Sequence, residues 1–321
     1  MDNGGVNVTK KIWVVDLGEA ITKITLGSSD KNGLVIVENY WIEKTPRDVF
    51  KEGFPGKKLD LVVFLRSLLK GHHPRDELML VFNHSKMILA SFTFPMMAVE
   101  EVHEALYWKM QVIIPERFED WRLDFLARER IEIFEYLGIN EKKLDVLGIG
   151  IPTNVLTAYC SSFKGAKHVL KIIEPQFHGL GRLLKKNGEK TNLIIDMGYT
   201  STRLLLYSQG FLKEERRIKA MVETDIKTFL SPMIEGVMES LQSPLSHTRG
   251  FEIDTIFLLG GGSLVPGVLE YLREKINKKI VAFSILARNS EVFKFQKEIS
   301  EKDLCLLMPC LGGMLKWPNK K

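Results

Sequence analysis

Two aspartates interrupt apolar runs in the same way, as IWVVDLG with Asp16 and Gly18 and as NLIIDMG with Asp196 and Gly198. A carboxylate in such a run is costly to bury alone, and a hydrated divalent ion held between the two would compensate both. A third glycine corner, Gly260–Gly261–Gly262, follows the apolar run TIFLL. Glycine lets the main chain approach a ligand with no Cβ in the way, so each corner can turn backbone N–H groups toward a phosphate or a ribose. A single such corner usually does no more than reverse a strand, whereas three in this order point to a shared anion site. The structural alternatives are a strand-end carboxylate capping a turn at Asp16 and Asp196, and a turn needed only for close strand–helix packing at Gly260–Gly262.

Those corners need strands to carry them. Residues 11–26 read as strand, glycine turn and strand, with β-branched residues on both sides of Gly18, and 34–42 as a third strand. A helix fits 59–70, stopped by Gly71 and Pro74, and strand resumes over 77–84. From Lys86 the pattern changes to a strand ending at Pro95 and a helix from about Ala98, with Val102, Ala105, Leu106 and Ile113 at helical spacing. Strands near 121–126 and 144–151 and a helix from Thr153 to Phe163 follow, and this mixed stretch reads as a small inserted subdomain. Residues 192–210 repeat the opening strand-turn-strand, so the chain reads as a duplicated half. A helix and loop are expected over 231–250, then strand, triple glycine and amphipathic helix over 254–276, with Pro266 near the first helical turn.

With 321 residues, 45% of them hydrophobic, the chain can bury a core divided between two domains. Lys and Arg number 45 against 40 Asp and Glu, a net charge of +5 spread thinly apart from the short basic stretch 316–321. A nucleic-acid binder would concentrate that charge in a stripe with interleaved aromatics, so none is expected as partner. The excess reads as solubility with a mild attraction to anionic lipid headgroups. Three cysteines, Cys160, Cys305 and Cys310, fit neither a disulfide framework nor a zinc site, and suit a reducing cytosol. Cys305 and Cys310 read as small buried apolar residues, and His72 with His73, beside Gly71 and Pro74, as an exposed turn. No apolar run approaches the roughly 18 to 20 residues that span a bilayer, so membrane association is expected only through a partner.

The order of Asp-x-Gly hairpin, second Asp-x-Gly hairpin and Gly-Gly-Gly strand-helix resembles the actin, Hsp70 and FtsA superfamily. Within it the chain most resembles the PilM-type proteins of type IV pilus assembly, over nearly its whole length. The stretch SFTFPMMAVEEVHEALYWKMQVIIPERFEDWRLDF is similar to the PilM insertion, LDVLGIGIPTNVLTAY to the strand and helix that close it, and IIEPQFHGLGRLL to the helix leading into the second half. MPCLGGMLKW is similar to the helix start that follows the adenosine site.

This resemblance implies an α/β, actin-like (ribonuclease H-like) duplicated two-lobe fold with an inserted small α+β subdomain. Lobe I would comprise 1–84 and 166–190, the partner-binding insertion 85–165, and lobe II 191–321. It implies ATP in the cleft, its phosphates on Asp16, Gly18, Asp196, Gly198, Thr200, Ser201 and Thr202, its adenosine on Gly260, Gly261, Gly262 and Ser263, and Mg2+ between Asp16 and Asp196. Gln176, counted back from Arg182, falls at the place of the family's water-orienting acid, and glutamine is a poor general base. Two departures stand out: Glu19, Ala20 and Ile21 where the family is Ser-rich, and Ala220 with Met221 where it has a diglycine. Hydrolysis is therefore expected to be weak or lost.

The partner implied is the N-terminal tail of a PilN-like inner-membrane protein, held beside the insertion. Met96, Met97, Tyr107, Trp108 and Met110 are candidates for a sticky groove, or equally for ordinary core. A cytoplasmic place at the inner face of the cytoplasmic membrane goes with that partner, and self-association is left open. Two other readings remain. An active ATP-dependent sugar or metabolite kinase of the same fold would need a catalytic Asp over a polar pocket, and no clear candidate lies between the hairpins. The cytoplasmic part of the type II secretion L-protein would be followed by a transmembrane helix.

Overall fold

Strand β1 (Ile12–Leu17) is buried along its whole length, so it needs cover on both faces. Alternation divides that cover cleanly. Trp13, Val15 and Leu17 enter one core with Leu61 and Leu65 of helix α1 (Lys58–Leu68) and Val155 and Phe163 of helix α3 (Thr153–Gly165). Ile12 and Val14 enter another, with Phe177 and Leu180 of helix α4 (Gln176–Lys185) and Leu307 and Leu311 of the Glu301–Met314 helix. That second core continues into Ile194, Leu205, Tyr207 and Phe257, so these two helices form a layer between two sheets. Each such aliphatic side chain contributes about 1.5–3 kcal/mol on full burial.

The computed structural model describes residues 10–315, apart from 31–32, 48, 52–53, 56–57, 115–116, 135–138, 186–187, 189, 219–229, 232–233 and 236–251. In the first sheet β1 pairs antiparallel with β2 (Ile21–Ser29), which pairs antiparallel with β3 (Val35–Lys44). A small ladder of β4 (Phe50–Lys51) and β5 (Phe54–Pro55) follows. β6 (Glu77–Phe82) then lies parallel to β1, and β10 (Ile172–Pro175) parallel to β6. In the second sheet β11 (Thr191–Met197), β12 (Thr202–Ser208) and β13 (Phe211–Ile218) form an antiparallel meander. β14 (Thr255–Leu259) and β15 (Ile280–Ala282) add parallel on the other side of β11. The orders β3-β2-β1-β6-β10 and β13-β12-β11-β14-β15 are the same motif twice.

Inserted in the first copy of this motif, between β6 and β10 in the chain, is a three-stranded antiparallel sheet of β7 (Ile88–Pro95), β9 (Ile139–Pro152) and β8 (Trp121–Phe134). Helix α2 (Val99–Ile113) covers it through Val102, Leu106 and Met110, which pack with Phe94, Phe118 and Trp121.

Two expected boundaries move. Helix α3, assigned to the insertion, packs into the first lobe's core, so the separate sheet ends at Pro152. Strand β16 (Phe293–Phe295), assigned to the second lobe, pairs parallel with β3 and carries the Glu301–Met314 helix back onto the first sheet. Pro309, Gly312 and Gly313 therefore lie inside that helix, where a helix start was expected. Most of the helix and loop expected over 231–250 lies outside the described residues.

Candidate functional site

The three glycine corners converge. Gly18, Gly198 and Gly260–Gly262 line one cleft of about 520 Å3 between the lobes, with Asp16, Asp196, Gln176, Thr200 and Ser201 on its walls. Each hairpin glycine is required by its own turn. A Cβ on Gly18 would sit 2.5 Å from the Ile21 carbonyl oxygen, and one on Gly198 2.9 Å from that of Ser201, the same contact three residues on. At the third corner Gly260 has φ 84°, and a Cβ there would lie 2.5 Å from the Met197 carbonyl oxygen and 2.7 Å from Asp196 Oδ1. Gly262 is closed in by Met197, whereas Gly261 faces open space. Packing thus explains Gly260 and Gly262, and Gly261 is the position whose backbone a ligand can approach.

Both aspartates carry a cation. Lys23 Nζ donates to Asp16 Oδ2 at 2.7 Å, and Arg203 donates to Asp196 Oδ2 from Nε at 3.2 Å and also from Nη2. Each basic residue stands seven positions after its aspartate and directly opposite it on the hairpin ladder, as Asp16↔Lys23 and Asp196↔Arg203. Side chains opposed on a ladder share a face, so the duplicated hairpin has produced the same ion pair twice.

Gln176, the first residue of α4, joins the two pairs. Its Nε2 donates to Asp16 Oδ2 at 3.3 Å, and its Oε1 accepts from Arg203 Nη2. Each end of the amide thus makes one of the two hydrogen bonds it can form, and both of these go to protein groups. A network Lys23–Asp16–Gln176–Arg203–Asp196 therefore runs from one lobe to the other through a buried amide. Burial works against the Lys23 ammonium and the Arg203 guanidinium, but Asp16 and Asp196 outweigh it and hold both pKa values above their ordinary range.

This arrangement does not fit magnesium between the two aspartates. Mg2+ demands near-octahedral oxygen ligands, and here each carboxylate already has a cation on it that would repel a dication. Among the described residues no group of three or more His, Cys, Asp and Glu side chains is disposed for a metal. Phosphate groups do fit. Arg203 is 1% exposed and its Nη1 has no hydrogen-bond partner, Lys23 and Arg217 share the cleft, and Val265, Leu306 and Pro309 supply an apolar end.

The remaining expected residues divide. Thr200 is exposed at the cleft and Ser201 half-buried. Thr202 is fully buried, and Ser263 turns its hydroxyl back to donate to the Gly260 carbonyl at 2.6 Å, so neither is among the lining residues. Glu19 is exposed and, with Ala20 and Ile21, lines the first corner. Ala220 and Met221 lie outside the described residues. Sequence reasoning missed Lys23, Arg203 and Arg217. A basic residue seven places after each aspartate was the available signal for the first two. Arg217 on β13 donates to Asn83 Oδ1 and to the His84 carbonyl, a second tie between the lobes.

A separate groove of about 380 Å3 lies where the three-stranded sheet meets the first lobe, between Arg122 at the start of β8 and Leu156, Cys160 and Lys164 of α3. The sticky groove considered on α2 is split by the fold. Met110 is core and Met97 half-buried, while Met96, Tyr107 and Trp108 are exposed.

No protein-family model matches the sequence, and no curated protein matches it. Solved structures do. The chain is similar to that of a PilM-PilN type IV pilus biogenesis complex with a TM-score of 0.74 at 19% identity, covering 96% of this chain and 97% of that one. It is similar to the ethanolamine utilization protein EutJ from Carboxydothermus hydrogenoformans with a TM-score of 0.51 at 12% identity, covering 95% and 89%. A third likeness is to the cytoplasmic domain of EpsL, an inner membrane component of the type II secretion system of Vibrio cholerae, with a TM-score of 0.50 at 12% identity, covering 94% and 95%. The chain has the actin-like fold, with the duplicated lobes and the inserted sheet described above.

Proposed function

We propose that this protein is an actin-like scaffold of the inner-membrane platform of a type IV pilus or a related secretion system, and that it captures the N-terminal tail of a PilN-like membrane protein. The likeness to the PilM-PilN complex across nearly the full length of both chains supports this reading. The groove between α3 and β8 is the docking place. It is open, walled by Leu156 and Cys160, and flanked by Arg122 and Lys164, so it suits an extended segment with apolar anchors and acidic neighbours. Among the described residues no helix is long and apolar enough to cross a membrane, and the partner holds the protein at the cytoplasmic face.

The interlobe cleft takes an adenosine nucleotide, with phosphates at the hairpin corners and the base toward Val265 and Pro309. With Gln176, a poor general base tied to Asp16 and Arg203, in the place of the water-orienting acid, hydrolysis is weak or lost, and the nucleotide biases the angle between the lobes and so the affinity for the tail. The test is calorimetric titration of the full chain with the synthetic tail of the PilN-like protein from the same cell. Saturable binding is expected, weakened at least tenfold by Leu156→Asp and unchanged by Trp108→Ala. A tail that does not bind wild type sinks the scaffold reading, and robust sugar-dependent ATP turnover would favour the kinase reading.

A further inference from the structure

We infer that the cleft binds its nucleoside di- or triphosphate without a divalent metal, the Arg203 guanidinium standing where the ion would. This inference deepens the nucleotide reading above and rests on it. Three observations carry it. First, each carboxylate that would hold an ion is already neutralised by a cation from the facing strand, half-buried Lys23 on Asp16 and buried Arg203 on Asp196. Second, Arg203 is pinned through Nε and Nη2 by Asp196 and Gln176, which leaves Nη1 buried and without a hydrogen-bond partner on a side chain that lines the cleft. A buried donor left unmade costs the fold its desolvation, and a phosphate oxygen is the acceptor a guanidinium edge matches best. Third, Gly261 lines the same cleft and faces open space, where a ligand can reach the main chain without meeting a Cβ.

Lys23 and Arg217, paired with Asp16 and Glu215, line the same space. In the usual division of labour a metal bridges carboxylates and phosphates, both negative. Here the bridge is covalently part of the chain, so chelating the solution does not remove it. Lys23, Arg203 and Arg217 each already face a carboxylate, Asp16, Asp196 and Glu215, so they meet the phosphates as hydrogen-bond donors and not as surplus charge, and no proton or electron changes hands.

The experiment is calorimetry of the full chain with ATP and with ADP, each in EDTA and in excess magnesium. Binding in EDTA should be at least as tight as in magnesium. Magnesium tightening either nucleotide tenfold or more overturns this inference and leaves the nucleotide reading standing, whereas no heat and no thermal shift in any of the four conditions overturns both. Arg203→Gln should weaken binding in EDTA at least tenfold and make it respond to magnesium, because Asp196 is then free to take an ion. Wild-type affinity in that variant under EDTA would also overturn the inference. Should the variant not fold, the wild-type comparison of EDTA with magnesium decides alone.

Discussion

His72 and His168 meet with their Nδ1 atoms 3.1 Å apart, a contact that requires one ring to donate and the other to accept. His72 also packs edge-on to Trp13 with ring centroids 5.9 Å apart, so of the two histidines in the expected exposed turn only His73 is exposed. Burial depresses the His72 pKa, His168 adds to the effect and Asp76 opposes it; burial and then Arg66 depress that of His168. The unfolded chain thus binds more protons than the fold once pH drops to the ordinary value of 6.5, and stability falls as pH falls below it. The urea midpoint should be lower at pH 5.5 than at pH 7.5, and His168→Asn should flatten that slope. Both rings are partly exposed, so the change is modest; an identical slope in the variant would refute the pairing. Proximity of this kind was not legible in the sequence, because it joins residues 96 positions apart. The repeated Asp-x-Gly corners were legible, because each is fixed by a turn only three residues long.

At the scale of elements, the layer between the sheets depends on one crossing. A Cβ on Gly312 would lie 2.6 Å from the carbonyl carbon and oxygen of Gly179, and one on Gly179 would lie 2.9 Å from the Gly312 carbonyl carbon. The backbones of α4 and the Glu301–Met314 helix therefore touch directly. Arg182 locks the crossing, donating to the Gly312 carbonyl at 2.8 Å and forming a two-pronged ion pair with buried Glu174. Burial alone would raise the Glu174 carboxyl, but the bonds from His178 and Arg182 outweigh it and bring its pKa to about 2. Gly312→Val forces the helices apart and should cost about 2–3 kcal/mol by overpacking, read as a lower denaturant midpoint. An unchanged midpoint would show that the crossing yields without strain. Sequence reading placed a helix start here because Pro and Gly pairs usually punctuate. Residues 304–314 are all buried, and that packing overrides the local preference. Conversely, 127–134 and 139–143 were left out of the strands because their charges hide a two-strand ladder with much exposed surface.

For the whole molecule, the duplicated halves and the insertion follow from patterns a chain displays locally, whereas the paths that cross between them do not. The return of β16 to the first sheet is one such crossing, and the seating of the inserted sheet on the second lobe is another. There Asp145 of β9, 4% exposed, accepts from Lys213 Nζ of β13 at 2.6 Å and from Arg128 and Arg130 at 3.2 Å each. Arg128 also donates to the Ser208 carbonyl at 2.8 Å, and Ser91 to that of Lys213 at 3.0 Å. Burial opposes the Asp145 charge, yet the Lys213 hydrogen bond and charge, with Arg128 and Arg130, hold its carboxyl below the ordinary 3.8. Asp145→Asn leaves Lys213 and Arg128 without this counter-charge, Arg130 keeping Glu132 at 3.6 Å, and removing one partner of a buried pair costs about 3–5 kcal/mol. Hydrogen exchange should accelerate in β7, β9 and β13 together, while β14 and β15 stay protected. Because the folded pKa is depressed, this advantage of wild type is present above 3.8 and is lost as pH falls through the folded value. The gap between the two proteins should therefore hold from neutral pH down to about 4 and close below it. Unchanged exchange in the variant at pH 7 would mean that the inserted sheet is seated by its apolar contacts, and that its orientation on the second lobe does not depend on this carboxylate.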